Sequence, residues 1–452
     1  MFPRFQYFQE RFILDWTIAA NLMILRIKTD DSMGESTDGK IKIGVIGPGD
    51  VFQKRFLPQL AKQDKFELCS VVDVLTESEK MPIIENALGA TNIRYHQICP
   101  YDQTPQQFFE GLDVVYISSP NEFHVYQTLD SLGNGLFTIT EKPLLRNKSD
   151  LRVLRSSGIK IDEHYSRLFC QDHHILKPVT MCSFDRFPEL IKQYGPITHA
   201  KVTFFEEGNL QGLPREKWLI SPEAGGGVFI DIGVHMAGIV TKAMGGEFAD
   251  CNDVRLFDMY PNYNFRCETG FYGNFIIRGD YFAPSTGSNV EMKIAKGVNS
   301  VKGGISSRTP NHEVKVIELN LSDADLLLNY MRLGAEHEYV GKKIRKPFGS
   351  GLEYADSRGK INCKEEVEPG FYLIKDGFCR NLMDKEVQNP KDEYSRLLCM
   401  VQESLETGSP FLSFDDAERA LNAVFMAYDK SGGVTNMQLE RTYGHIRDFI
   451  YA

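Results

Sequence analysis

Two stretches of the 452-residue sequence carry residue types spaced for chemistry. In Gly225-Gly226-Gly227-Val228-Phe229-Ile230-Asp231-Ile232-Gly233-Val234-His235, one aspartate and one histidine interrupt an apolar run. At i and i+4 of a helix they share a face, so the pair either offers an acid–base couple to a ligand or closes a hydrogen bond inside a core. The glycines ahead of them are expected to let the chain pass close to that ligand before the helix begins. In Gly47-Pro48-Gly49-Asp50-Val51, a G-x-G follows the β-rich run Ile41–Ile46. Such a junction lets backbone N–H groups approach a diphosphate at a helix N-terminus; the plain alternative is a strand-to-helix turn. Phe52 occupies the place of the third glycine in the full fingerprint.

Asp73 closes the next apolar run, Phe66–Val72, where a carboxylate accepts hydrogen bonds from adenosine ribose hydroxyls. It repels an added 2′-phosphate, and no arginine follows in the next few residues, so NAD is expected rather than NADP. Capping of a turn by the aspartate is the other reading.

These residues need a scaffold of strands alternating with helices. Strands are expected at Ile41–Ile46, Phe66–Val72, Asp113–Ser118 and Phe137–Thr140, with helical segments near 52–63, 77–88 and 121–132. The pattern predicts an α/β chain: a doubly wound parallel nucleotide-binding sheet over residues 40–165 behind a flexible extension, 1–39. From residue 166 to 452 longer runs such as Ile197–Phe205 and Gly270–Tyr281 predict an α+β domain with a large, open, mostly antiparallel sheet. Helical spacing returns at Glu393–Leu405 and Phe414–Tyr428.

Composition narrows the partners. The formal charge of −10 argues against nucleic acid and anionic membranes, and nine cysteines without a C-x-x-C pair spell out neither a disulfide framework nor a metal site. A reducing cytoplasm and a small-molecule ligand are expected.

Ser119-Pro120-Asn121 with His124, then Glu141-Lys142-Pro143, then the Gly225–His235 stretch follow in order. In that order and spacing the chain resembles the Gfo/Idh/MocA family of nicotinamide-dependent oxidoreductases over most of residues 41–300. The resemblance implies a cofactor site built from Gly47, Gly49, Asp50, Val51, Asp73, Ser119, Pro120, Asn121, His124, Glu141 and Lys142. It places Lys142 beside the nicotinamide and the substrate oxygen, gives His235 the acid–base role, assigns Asp231 to orientation or substrate binding, and implies a cis bond before Pro143. Residues 140–166 also resemble the glucose-6-phosphate dehydrogenases, in which a segment after E-K-P binds substrate phosphate. That likeness is partial, because Glu163 is inserted between Asp162 and His164. Asp162, His164 and Tyr165, expected just after a sixth strand, therefore join Lys142, Asp231 and His235 as substrate-site candidates.

The implied activity is hydride transfer to or from a hydroxyl or carbonyl carbon of a sugar, sugar derivative or polyol, with a homodimer or homotetramer formed through the open sheet. Two other readings stand beside it. One is glycoside elimination or hydrolysis with transient use of NAD; the other is a nucleotide-binding regulatory protein without turnover, to which Phe52 lends weight.

Overall fold

The computed structural model describes residues 39–89, 92–99, 102–157, 167–171, 187–208, 221, 225–258, 267–283, 288–298, 314–329, 342–345, 352–356, 370–375, 378–382, 393–432 and 434–436. They fall into two compact units, Met1–Asp172 with Asp392–Ala417, and His173–Lys391 with Glu418–Ala452. The sequence reading assigned everything after 165 to the second domain; part of the C-terminal helical region instead belongs to the first unit.

In the first unit, β1 (Ile41–Ile46), β2 (Phe66–Asp73), β3 (Arg94–Gln97), β4 (Val114–Ile117), β5 (Phe137–Glu141) and β6 (Leu168–Gln171) form one sheet in the order β3-β2-β1-β4-β5-β6. Every pair is parallel. Val114, Val115, Tyr116 and Ile117 are all buried, as expected of a strand covered on both faces. Strand order reverses between β1 and β4, so the crevice for a ligand lies at their carboxyl ends. The crossovers include α1 (Leu57–Leu60), α2 (Glu77–Leu88), α3 (Gln106–Phe109), α4 (Asn121–Gly133) and α5 (Lys148–Ser156).

Several elements depart from the sequence expectation. β3, α3 and α5 were not anticipated, since Arg94-Tyr95-His96-Gln97 is polar and half-exposed, while α3 and α5 are short. The described strand β6 follows Asp162, His164 and Tyr165 in the chain. These three residues, and the segment ahead of them that was expected to be a strand, lie outside the described residues.

Phe52 is fully buried, with its ring 5.8 Å from Phe56 and 6.1 Å from Tyr116. Phe56 stacks on Tyr116 at 4.2 Å, and Tyr394, on the helix Glu393–Thr407, meets Phe56 edge-on at 6.3 Å. A glycine at position 52 would let the helix lie close on the sheet. A phenyl ring needs more room, and the chain forms a π-turn over Phe52–Phe56, a wider coil than the α-helix. The missing glycine is thus accommodated within the core.

The second unit is built on an eleven-stranded sheet among the described residues. Its strands are β7 (Ile197–Gly208), β8 (Glu247–Asp258), β9 (Gly270–Arg278), β10 (Ser288–Val298), β11 (Val314–Leu321), β12 (Asp325–Asn329), β13 (Lys342–Arg345), β14 (Leu352–Asp356), β15 (Gly370–Lys375), β16 (Phe378–Asn381) and β17 (Val434–Asn436). They run in the order β13-β14-β16-β15-β12-β11-β7-β10-β9-β8-β17, antiparallel except for β7 with β10 and β8 with β17. In β9, Phe271, Phe275 and Ile277 are buried, while Tyr272, Asn274 and Ile276 on the other face are half-buried. The buried face packs against a π-turn, Phe229–Gly233, which leads into α7 (Val234–Lys242); α6 (Phe187–Tyr194) precedes β7. Phe229 lies flat on Phe271 at 3.5 Å. Among the described residues no helix is long and apolar enough to cross a membrane.

Restoring the fingerprint by Phe52→Gly should empty this aromatic cluster and destabilise the protein by about 3–5 kcal/mol, the range for deleting a buried aromatic ring. Denaturant unfolding measures this; a loss below about 1 kcal/mol would show that the ring does not hold the helix on the sheet.

Candidate functional site

The turn after β1 is tied to three strands. The Gly47 N–H donates to Val72 O at 2.8 Å, Ser118 Oγ donates to Gly47 O at 2.8 Å, and Ser118 N donates to Ile46 O at 3.0 Å. Gly47 has φ +67°, and a methyl group on it would lie 2.7 Å from Ser119 Cα. No L-residue satisfies both the backbone angle and that approach. A methyl group on Gly49 would meet no described atom closer than Ser118 O, at 3.6 Å, so no internal packing demands this second glycine. It stands at the start of the helix, where first-turn N–H groups have no intrahelical partners. Gln53 fastens the loop, with Nε2 donating to Pro48 O at 2.7 Å. Asp50 pairs with Lys54 at 2.6 Å, and Val51 is exposed.

Asp73, at the end of β2, is buried, and its Oδ1 accepts from Leu75 N at 2.9 Å. Its Oδ2 lies 3.5 Å from Lys80 Nζ, which also donates to Pro48 O at 3.1 Å. Lys80 is in the first turn of α2, whose start is set by a capping box between Thr76 and Glu79. The sequence reading passed over this lysine. A signal existed, because a cation in the first turn opposes the helix dipole and needs a partner.

Pro120 leads into α4. Asn121 is buried in its first turn, and Asn121 Nδ2 has no hydrogen-bond partner. His124 is buried between two backbone carbonyls, with Nε2 2.8 Å from Ser119 O and Nδ1 2.9 Å from Pro143 O. Burial draws its pKa down against the opposing pull of the two carbonyls. Lys142 is half-buried directly after β5, and the Lys142–Pro143 bond is cis. Glu141 is buried; its carboxylate accepts from the Tyr116 hydroxyl and, at 3.3 Å, from the Tyr394 hydroxyl. His124 and Glu141, expected as cofactor ligands, thus hold protein groups on either side of Lys142.

In the second unit Gly227 has φ +123°, and a methyl group there would lie 2.4 Å from Glu268 Oε1. That oxygen accepts from Phe229 N at 3.1 Å and from Tyr428 OH at 2.6 Å, so a buried carboxyl caps the start of the π-turn. Gly227 therefore allows a close approach of the backbone to Glu268. Burial pushes the Glu268 pKa up to about 7 against these hydrogen bonds. Asp231 lies in the π-turn and His235 in α7, and both are buried. The α-helical offset assumed for them is therefore interrupted by the wider turn.

A six-stranded parallel sheet with this order, a left-handed glycine turn after β1 and an acidic residue closing β2 defines a dinucleotide-binding domain. Residues 41–155 match the Gfo/Idh/MocA family model, described as "Oxidoreductase family, NAD-binding Rossmann fold". A 1,5-anhydro-D-fructose reductase of Ensifer adhaerens is 31% identical over 132 residues, 28% of this chain. The chain spans 36% of that relative's length. Among solved structures, a myo-inositol 2-dehydrogenase from Lactobacillus plantarum shares the fold with a TM-score of 0.58 at 13% identity, over 87% of this chain and 97% of that one. A 3-ketoreductase from Actinomadura kijaniata, solved with NADP and TDP-benzene, has a TM-score of 0.53 at 16% identity, over 88% and 99%.

The residues present fit a dinucleotide: a left-handed glycine turn that admits no side chain at Gly47, an acidic strand end and an unpartnered buried amide on Asn121. Gly47→Ala should push Ser119 away and weaken NAD binding by about tenfold or more, a cost of ~1.4 kcal/mol, read by calorimetric titration. An unchanged affinity would disconnect the turn from the cofactor.

A second expectation concerns pH. Glu268 keeps its proton to about pH 7 when folded and to the ordinary 4.5 when unfolded, so its stabilising contribution is complete below the unfolded value and is lost as pH rises through 7. Burial likewise pushes Asp130 up to about 7, against hydrogen bonds from Thr104. The melting temperature should fall between roughly pH 5 and pH 8, and less so in Glu268→Gln. An identical slope in the variant would assign the effect elsewhere.

Proposed function

We propose that the chain is an NAD(P)-dependent oxidoreductase acting on a hydroxyl or carbonyl carbon of a sugar, sugar derivative or polyol. The observation that carries this reading is Lys142, set directly after β5 and held on both sides: Glu141 by Tyr116 and Tyr394, Pro143 by His124. A lysine so fixed at the carboxyl edge of a nucleotide-binding sheet is suited to act on a substrate oxygen. The sugar and polyol names carried by the reductase and dehydrogenase relatives support the substrate class.

A bound nicotinamide accepts or supplies the hydride. The Gly47–Gly49 turn and the N–H groups that follow it bind the diphosphate, Asp73 addresses the adenosine ribose, and Asn121 offers its amide. Lys142 donates a hydrogen bond to the reacting oxygen and stabilises negative charge there as the hydroxyl proton leaves. His235 takes that proton, with Asp231 orienting the imidazole or the substrate. The association of copies through the open sheet face is part of the same proposal, and light scattering on the purified chain tests it.

Purified protein with NAD or NADP and a panel of sugars and polyols should show the absorbance of reduced cofactor. Product without net reduction would favour glycoside elimination or hydrolysis, and cofactor binding without any product would favour a regulatory role. Lys142→Ala should abolish turnover while leaving cofactor affinity within about threefold, because the lysine acts on the reacting oxygen. Turnover equal to wild type would remove it from the mechanism.

A further inference from the structure

We infer that Lys80 is a coenzyme-selecting residue, and that its pairing with Asp73 lets the site accept a ribose 2′-phosphate as well as a 2′-hydroxyl. The inference rests on the nucleotide site proposed above and concerns which form of the dinucleotide enters it. An isolated carboxylate at the end of β2 would repel a phosphate monoester, which carries about −1.5 to −2 charges at neutral pH. Asp73 is not isolated. Lys80 Nζ lies 3.5 Å from its Oδ2, the two side chains are only 13% and 8% exposed, and the pair sums to zero charge. The repulsion expected from the sequence is therefore offset.

Position makes Lys80 more than a counter-ion. Its ammonium also donates to Pro48 O at 3.1 Å, so it stands between the turn that receives the diphosphate and the strand end that receives the ribose. An ammonium has three donors, and these two contacts leave one. At 3.5 Å the contact with Asp73 is an ion pair looser than a direct charged hydrogen bond, and rotation about the lysine stem can bring Nζ to an added phosphate. Asp73 would keep the Leu75 N–H at 2.9 Å during that shift.

Neighbouring charged groups are committed elsewhere. Arg94 donates to Gln107 O at 2.8 Å and Glu110 O at 2.6 Å, and Lys54 pairs with Asp50 at 2.6 Å. Glu79 is held in the capping box with Thr76, 2.8 Å from Thr76 N.

Calorimetric titration of the full chain with NAD and with NADP, separately, tests the inference. Wild type should bind the two within about tenfold of each other. Lys80→Gln should weaken NADP by about tenfold or more and leave NAD within about threefold, and Lys80→Arg should retain NADP binding. A wild type that takes NAD and rejects NADP overturns the inference and leaves the proposed oxidoreductase standing. Equal losses for both coenzymes in Lys80→Gln overturn it too, because they describe a lysine that only braces Pro48. Binding of neither coenzyme by wild type overturns the nucleotide site itself, and this inference with it.

Discussion

The first unit depends on one close approach, the Gly47 backbone against the Ser119 backbone. Parallel strands β1 and β4 are neighbours, so the turns leaving their carboxyl ends compete for the same space. With Ser119 Cα only 2.7 Å from where a Gly47 methyl group would sit, the turn closes only without a side chain. Hydrogen bonds to Val72 O and from Ser118 Oγ then lock it across β1, β2 and β4.

Around that turn, buried polar residues serve mainly to hold backbone. His124 spans Ser119 and Pro143, linking the loops after β4 and β5, while Glu141 sits under two tyrosine hydroxyls. Glu268 plays the corresponding part in the second unit, capping the π-turn that carries Asp231 and leads to His235. In each place a charged or ionisable side chain is buried where it satisfies groups that would otherwise be orphaned; burial draws the His124 pKa down and pushes the Glu268 pKa up. Motif residues that read as ligands in one dimension are partly the fastenings of the ligand site.

The strongly apolar strands of the first sheet were legible, because β-branched runs bounded by glycine and polar turns have one natural conformation. β3 and α3 were not: β3 is four residues with half-exposed, mostly polar side chains, and α3, with Phe108 and Phe109 buried, is too short at four residues to carry a periodic signal. The membership of Glu393–Thr407 in the first unit was equally hidden: its apolar stripe announces a helix but names no partner. Phe52 read as a defect in the fingerprint because the rule presumes an α-helix packed tightly on the sheet, whereas a π-turn makes room for the ring.

By itself, the sequence determined the α/β class, the parallel order implied by strand–helix alternation, and the identity of Gly47, Asp73, Asn121 and Lys142 as groups at strand ends. Those properties are local: they follow from periodicity and from what one residue type can do at one junction. Only the tertiary structure decided what those groups touch. It brought Lys80 to Asp73 and Pro48, Tyr394 to Glu141, and Tyr428 to Glu268 across 160 residues of chain. Such contacts depend on how helices lie against sheets, and no spacing within a single element records that.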